Sequence, residues 1–353
     1  MAKQLMKGNV AIAEAAIRCG LKCFFGYPIT PQNDIPEYLS EHLPEHGGVF
    51  LQSESELAAV NMMEGAAATG VRVMTSTSGP GFSLMQEGVS NVAAIGLPCV
   101  FVNIMRGGPG SGCIFSNQGD YFQATRGGGN GDYHVIVLAP DSVQEACDLV
   151  QDAFDLAEEY HIPALLLGDA MIGQMMEPVE IAYRTPKERD LSWATRGWDG
   201  VSRPRVAMAS RNPTIEMNVE RIRGIEERYA RLVRENTRYE ADGVEDAEVL
   251  LVAFGSVSRI CREAIEDLRA AGIKIGLIRP ITLVPFPYEA IGEAARQSSV
   301  RKVVVVEMST GQMVEDVRLA VNGAKPVDLL ASYGSQIPLP DEIREFVSKS
   351  LAE

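Results

Sequence analysis

Short apolar runs alternate with stretches of helical periodicity along most of the chain. The runs "CFFGYP", "GGVFLQ", "VRVMTSTS", "PCVFVNIM", "HVIVLAP" and "PALLLGDA" predict strands. Between them lie segments such as 142 to 157, where Val143, Ala146, Cys147, Val150, Phe154 and Ala157 share one helical face and Ser142 with Glu145 spells a capping box. Apolar strands alternating with helices mean an α/β fold, with a parallel sheet covered on both faces. After Thr185 the pattern breaks into "PKERDLSWATRGWDGVSRPR", followed by a charged helix from about 214 to 238. Residues 186–245 therefore read as a linker or arm between a first unit, 1–185, and a second, smaller α/β unit, 246–353. In that second unit "AEVLLVAFGS", "IKIGLIRP", "KVVVVEMS" and "PVDLLASYG" are the strand-like runs. Val257, Ile260, Cys261, Ala264, Ile265 and Leu268 form the stripe of a helix ending at Gly272.

Composition narrows the function without naming it. The chain has 353 residues, 46% of them hydrophobic, enough for two sizeable cores. Its net charge of -15 and pI near 4.9 repel phosphate backbones and anionic membrane surfaces, so neither nucleic acid nor membrane is expected as a partner. The start "MAKQLMKGNVAIAEAAIRCG" reads as the approach to a helix, because Asn9 and Glu14 interrupt any signal-peptide core. The longest apolar stretch, "VAAIGLPCVFVNIM", is short of a membrane span and contains Pro98 and Asn103, so a cytoplasmic protein is expected. Cysteines 19, 23, 99, 113, 147 and 261 are scattered singly apart from one C-x3-C pair, which favours buried reduced thiols over a cluster or zinc site. The arginines of the arm, Arg189, Arg196, Arg203, Arg205 and Arg211, suit either an acidic partner or a solvated linker.

Candidate chemistry follows from where ligands bind in open parallel sheets, beyond the carboxyl ends of the strands. Thr30 stands beyond the first strand-like run and Glu54 beyond the second. Ser78, Gly79, Pro80 and Gly81 follow the third, and Arg106 follows the fourth, just before "GGPGSG". Four successive strands thus bring a hydroxyl, a carboxylate, a glycine turn and a guanidinium to one rim. Each has a plainer reading: Ser53 to Glu56 spells S-x-x-E and could simply cap a helix, Arg106 could be a surface ion pair, and Thr30 between two prolines could be only a turn residue. "GGPGSG" and "RGGGNG" lack dinucleotide-fingerprint spacing, no phosphate-binding P-loop is present, and His42, His46, His134 and His161 have no metal-ligand spacing. No metal site is expected in this chain.

With these residues in place the chain resembles a known family. "GNVAIAEAAIRCGLKCFFGYPITP", "QSESELAAVNMMEGAAATGVRVMTSTSGPGFSLMQE", "RGGPGSG" with "NQGDY", "RPITLVPFP" and "VVVVEMSTGQM" resemble the alpha subunit of thiamine-diphosphate-dependent 2-oxoacid:ferredoxin oxidoreductases, most of all the 2-oxoisovalerate (3-methyl-2-oxobutanoate) type. The resemblance implies a pyrimidine-binding domain followed by a transketolase C-terminal-like domain. It also implies CoA-dependent oxidative decarboxylation of a 2-oxoacid to an acyl-CoA, with reduction of ferredoxin. Thiamine diphosphate would be shared with a beta subunit that carries the diphosphate and Mg2+ site. The [4Fe-4S] clusters would lie on partner chains, among them a gamma and a ferredoxin-like subunit.

The resemblance places roles on matching positions. Glu54 of the QSE motif would hydrogen-bond the aminopyrimidine, Arg106 would clamp the substrate carboxylate, and Thr30 of YPITP would donate to the substrate. Ser78, Gly79, Pro80 and Gly81 would lie against the cofactor. The "CIFSN" stretch departs from the Pro-Thr-containing stretch of relatives. Pyruvate or 2-oxoglutarate as substrate, and a docking homologue without catalysis, stay open as alternatives.

Overall fold

Every strand-like run becomes a strand; the central ones, such as Val73–Thr77, Cys99–Met105, Ala164–Asp169 and Val249–Val252, are buried on both faces and need no alternation to hold them, while Val49–Gln52 and Val327–Ala331 at the sheet edges are less buried. A computed structural model of the chain describes residues 3–198, 200–201 and 208–352. Its strands, in chain order, are β1 (Gln4–Lys7), β2 (Cys23–Gly26), β3 (Val49–Gln52), β4 (Val73–Thr77), β5 (Cys99–Met105), β6 (Ile136–Leu138) and β7 (Ala164–Asp169). They continue with β8 (Met176–Val179), β9 (Tyr239–Asp242), β10 (Val249–Val252), β11 (Ile275–Pro280), β12 (Thr282–Val284), β13 (Lys302–Glu307) and β14 (Val327–Ala331).

The first sheet has seven strands in the order β12-β6-β7-β5-β4-β2-β3 and is parallel apart from β12. Helices Gly8–Arg18, Asp34–His42 and Val143–Tyr160 cover one face, where Ile12, Leu39, Phe154 and Leu166 meet in one core. Helices Glu56–Ala67 and Gly79–Ile95 cover the other. The core on that second face does not stop at the sheet: Met63, Met85 and Val137 belong to the same apolar cluster as Phe254, Ile291 and Val303 of the second unit. The second sheet has five strands in the order β14-β13-β10-β11-β9, with β9 antiparallel at its edge. Helix Gly255–Ala270 packs on its far face through Val257, Cys261 and Leu268.

Four strands are not visible in the hydrophobic pattern: β1, β8, β9 and β12. β1 and β8 pair only with each other, and β9 is an exposed edge, so none of them needs an apolar run. β12 matters most. The chain leaves β11 in the second sheet and within a few residues enters β12, which pairs antiparallel with β6 of the first sheet, while Ala139 N donates to Ile281 O at 2.8 Å. One continuous segment stitches the two sheets.

A buried guanidinium locks that stitch. Arg279 on β11 is fully buried and donates from both terminal nitrogens to Glu145, at 2.6 and 2.7 Å, and from Nε to Glu240 at 2.9 Å. Burial alone would favour losing its proton, but the carboxylates of Glu145 and Glu240 hold it more tightly than usual. Glu145 lies in the first turn of helix Val143–Tyr160, where Ser142 Oγ accepts from Glu145 N at 3.2 Å as the capping signature predicts. The Glu145 carboxylate does not close the box on Ser142; it accepts from Asp141 N at 2.8 Å and from Arg279.

Among the described residues after Thr185, Arg189 and Thr195 contact the first unit. Thr195 N donates to Ala68 O at 2.7 Å, and Arg189 pairs with Glu158. Helix Ile215–Asn236, capped by Thr214, buries Ile225 and Leu232, and its Tyr229 stacks on His134 with ring centroids 3.6 Å apart. Arg203 and Arg205 lie outside the described residues. Cys19, Cys99, Cys147 and Cys261 are buried free thiols, and burial pushes the Cys19 thiol up to about 12. No described helix is long and apolar enough to cross a membrane.

Replacing Arg279 by Leu leaves Glu145 without its counter-charge in a mostly buried seam, while Asp141 keeps Arg262. It is expected to cost about 3 to 5 kcal/mol, read as a lowered urea midpoint at unchanged ionic strength.

Candidate active site

The carboxyl ends of β3, β2, β4 and β5 lie side by side, in that order, along one rim of the first sheet. At about 4.8 Å per strand, the rim from β3 to β5 spans three spacings, roughly 14 Å. It carries Glu54, Thr30, Ser78 to Gly81 and Arg106 respectively.

The Thr30 corner is held from several sides. Pro31 O accepts from Asn9 Nδ2 and Gln174 Nε2, both at 2.8 Å, and the buried Gln32 accepts from Ser76 Oγ at 2.5 Å. Arg106 Nη1 donates to Thr30 O at 2.8 Å, and Nη2 donates to Ser111 O at 3.0 Å. The contact thus runs to the main-chain carbonyl of Thr30, leaving its exposed side chain to solvent. Pro28 and Pro31 set the backbone angles, and buried amides fasten the result.

Arg106 is half-buried, its Nε is buried without a partner, and no carboxylate of the described residues forms an ion pair with it. The surface-ion-pair reading is therefore not what the structure shows. Main-chain carbonyls orient the guanidinium, whose charge acts on the nearby Asp120 carboxyl without an ion pair, so it keeps the capacity to take a planar anion through two prongs.

Asn103 interrupts the apolar β5 and is fully buried. Its Oδ1 accepts from Gly79 N at 3.1 Å, and its Nδ2 donates to Asp120 Oδ2 at 3.0 Å. It ties the glycine turn to the loop after β5. Burial raises the Asp120 carboxyl above its ordinary value, with the Asn103 hydrogen bond and the Arg106 charge opposing the rise. Gly79, Pro80, Arg106, Asp120, Thr310 and Gln312 line a cleft of about 620 Å³ between the two units. Its far wall is rigid because the buried Glu307 carboxylate accepts from the backbone N–H of Gln312, Met313 and Val314, at 3.0 to 3.2 Å. Gln118 bridges the units, accepting from Met308 N at 3.1 Å and donating to Phe254 O at 2.9 Å.

The glycine turn has its own packing reasons. A Cβ on Gly81 would stand 2.1 Å from Thr77 Oγ1 and 2.5 Å from Glu56 Oε1, so only glycine lets the buried Glu56 approach. Ser78 Oγ is buried with no partner. Glu54 is exposed and makes no hydrogen bond or ion pair with the described residues. Ser55, not Ser53, caps helix Glu56–Ala67, accepting from Ala58 N at 3.2 Å, while Ser53 Oγ donates to Gly26 O and Ser55 O. The S-x-x-E box is not formed, and the helix makes no demand on the Glu54 carboxylate. Thr30 and Arg106 are thus joined directly, Gly79 and Pro80 share the Arg106 cleft, and Glu54 stands at the open edge beside β3. Among the described residues no three His, Cys, Asp or Glu side chains converge as a metal site.

Residues 14–238 match the family described as pyruvate flavodoxin/ferredoxin oxidoreductase, thiamine-diphosphate-binding. The chain belongs to this family. Residues 247–343 match pyruvate:ferredoxin oxidoreductase core domain II. The ketoisovalerate oxidoreductase subunit VorB of Methanothermobacter marburgensis is 46% identical over 99% of both chains. The 2-oxoglutarate synthase subunit KorA of Methanocaldococcus jannaschii is 35% identical, over 98% of this chain and 100% of its own. Among solved structures, the 2-oxoglutarate:ferredoxin oxidoreductase of Magnetococcus marinus matches with a TM-score of 0.88 and 26% identity. That match covers 99% of this chain and 65% of the other. A split-gene transketolase at 16% identity and a TM-score of 0.59 bears on the fold alone. The family's α/β architecture, a thiamine-binding unit followed by a second α/β unit, is the one expected from the sequence.

Sequence reasoning named the rim residues but passed over Asn9, Gln32, Asn103, Asp120 and Gln118. The signal for two of them was present, a polar amide inside an apolar run. Asn103→Leu removes the partner of Gly79 N–H and the donor to Asp120 at a buried position. It is expected to cost about 1 to 3 kcal/mol, measured as a shift in the urea midpoint against the parent chain.

Proposed function

We propose that this chain is the alpha subunit of a 2-oxoacid:ferredoxin oxidoreductase that acts on a branched-chain 2-oxoacid, 2-oxoisovalerate, forming the acyl-CoA and reducing ferredoxin. The observation that carries the reading is the Arg106 guanidinium, hydrogen-bonded to Thr30 O and in no ion pair with the described residues, beside the cleft between the two units. The VorB likeness, at 46% identity, supports the branched-chain substrate over the acids named for the KorA and PorA relatives, at 38% or less.

The residues fit the pyrimidine half of thiamine diphosphate. Glu54 is exposed and uncommitted, as a carboxylate must be to hold a proton at the aminopyrimidine N1' of a group brought by another chain. It emerges from an edge strand that pairs on one side only, among the exposed side chains of Tyr27, Leu51 and Leu57. That combination suits docking of a beta subunit carrying the diphosphate and Mg2+ site, with gamma and ferredoxin-like subunits bearing [4Fe-4S] clusters. Ser78, Gly79, Pro80 and Gly81 would face the cofactor from the turn after β4. When bound, thiamine diphosphate supplies the carbon nucleophile and the electron sink for decarboxylation.

This chain's own work is binding and orientation. Arg106 holds the 2-oxoacid carboxylate, its second nitrogen kept in place by Ser111 O. The Thr30 hydroxyl, on a corner with little freedom left to lose, donates to the substrate's carboxylate or keto oxygen.

In the complex reconstituted with its partner subunits, Glu54→Gln is expected to lower 2-oxoacid-dependent ferredoxin reduction by about 100-fold or more. Folding stability should stay within about 0.5 kcal/mol, as for an exposed side chain without partners. Undiminished turnover would refute the proton-holding role. Arg106→Ala is expected to cost about 2 to 4 kcal/mol in kcat/KM, a loss of roughly 30- to 900-fold. Unchanged KM and kcat would remove the carboxylate clamp.

A further inference from the structure

The Arg106–Thr30 hydrogen bond lies between two cavities. Arg106 lines the cleft already described, and Thr30 lines a second cavity of about 570 Å³. A substrate held by its carboxylate at Arg106, with its keto oxygen near Thr30, therefore has room for its third substituent in the second cavity. The walls there are mostly apolar: Pro31, Ile114, Phe115, Ala170, Met171 and Ile337. Ile114, Phe115 and Ile337 are 51%, 66% and 42% exposed, an unusual grouping of large apolar side chains left to water around one hydroxyl.

Ile114 and Phe115 are held in place by the loop that follows Arg106. Gly107 N donates to Phe115 O at 3.0 Å, and Cys113 N donates to Gly107 O at 2.9 Å. Gly112 sits at φ +54 with Gly107 O where a Cβ would be, so the loop closes tightly on itself. This loop contains the "CIFSN" stretch, Cys113 to Asn117.

The charged groups of the cavity are already engaged with each other. Its one basic residue, Lys7, is paired with Asp34 at 2.9 Å. Asp34 also accepts from Asn9 Nδ2 at 2.9 Å and from Gln174 Nε2 at 3.2 Å. A second carboxylate on the substrate would meet the Asp34 charge and no free cation, whereas an alkyl branch would cover apolar wall.

We propose that this cavity receives the side chain of the 2-oxoacid, with Ile114 and Phe115 selecting a branched alkyl group and the closed Lys7–Asp34 pair rejecting a dicarboxylic acid. The proposal rests on the 2-oxoacid reading above.

The test measures kcat/KM of the reconstituted complex for 2-oxoisovalerate, pyruvate and 2-oxoglutarate with ferredoxin as acceptor. The parent complex should prefer 2-oxoisovalerate. Phe115→Ser, at an exposed position that folding does not need, should lower the ratio of 2-oxoisovalerate to pyruvate by about 10- to 200-fold. Ile114→Lys, also exposed, places an unpaired cation in the wall and should raise the ratio of 2-oxoglutarate to 2-oxoisovalerate by at least tenfold. An active parent complex whose ratios do not move in either variant overturns the pocket assignment while leaving the 2-oxoacid reading intact. A parent complex inert toward all three acids overturns that reading, and the pocket with it.

Discussion

The arrangement turns on one charge removed from water. Arg279 is buried at the seam between the two sheets, and its cost is offset only while Glu145 of the first unit and Glu240 of β9 stay within hydrogen-bond reach. A guanidinium so placed resists sliding, because any displacement leaves several buried charges unmatched. The segment carrying it runs directly on into β12, a strand of the other sheet. The seam therefore ties together the two units between which the cleft lies, with Arg106 on one wall and Thr310 and Gln312 on the other.

The same accounting of buried polar groups shapes the rim. A parallel sheet covered on both faces has few places for an amide, and where one occurs it finds a distant partner: Gln32 with Ser76, Asn103 with Gly79 and Asp120, Asn9 with Pro31. These bonds fasten the turns from which the exposed groups project. Rigidity below the rim leaves Arg106 oriented but unpaired and Glu54 uncommitted, a division between fixed scaffold and free functional group that suits a site completed by another chain.

Glu54 and Arg106 also show why the plainer readings of a motif needed a structure to decide them. Ser-x-x-Glu before an apolar helix is a sound capping signature, yet here the cap begins two residues later, at Ser55, and the Glu54 carboxylate has no helix to serve. At Ser142 the same signature does cap, but its glutamate is diverted to Arg279, which is 134 residues away in the chain. Local spacing states what a side chain is able to do, and the neighbours brought by folding select among the options.

By itself the sequence determined the α/β class, the apolar strands and the position of Thr30, Glu54, Gly79 and Arg106 just beyond the strands' carboxyl ends. These are consequences of local pattern: apolar runs that can only be buried, and the rule that the strands' carboxyl ends carry the chemistry. Short edge strands such as β1, β8 and β9 bury too little to leave a pattern, and the three residues of β12 gave no sign that they would cross to the other sheet. Tertiary structure alone decided that Arg106 would meet the carbonyl of Thr30 and no carboxylate of the described residues, that Lys7 would be closed off by Asp34, and that Arg189 would pair with Glu158 of the first unit. Those outcomes depend on pairs separated by tens of residues, whose energies of a few kcal/mol are settled only when the chain has brought them together and excluded water.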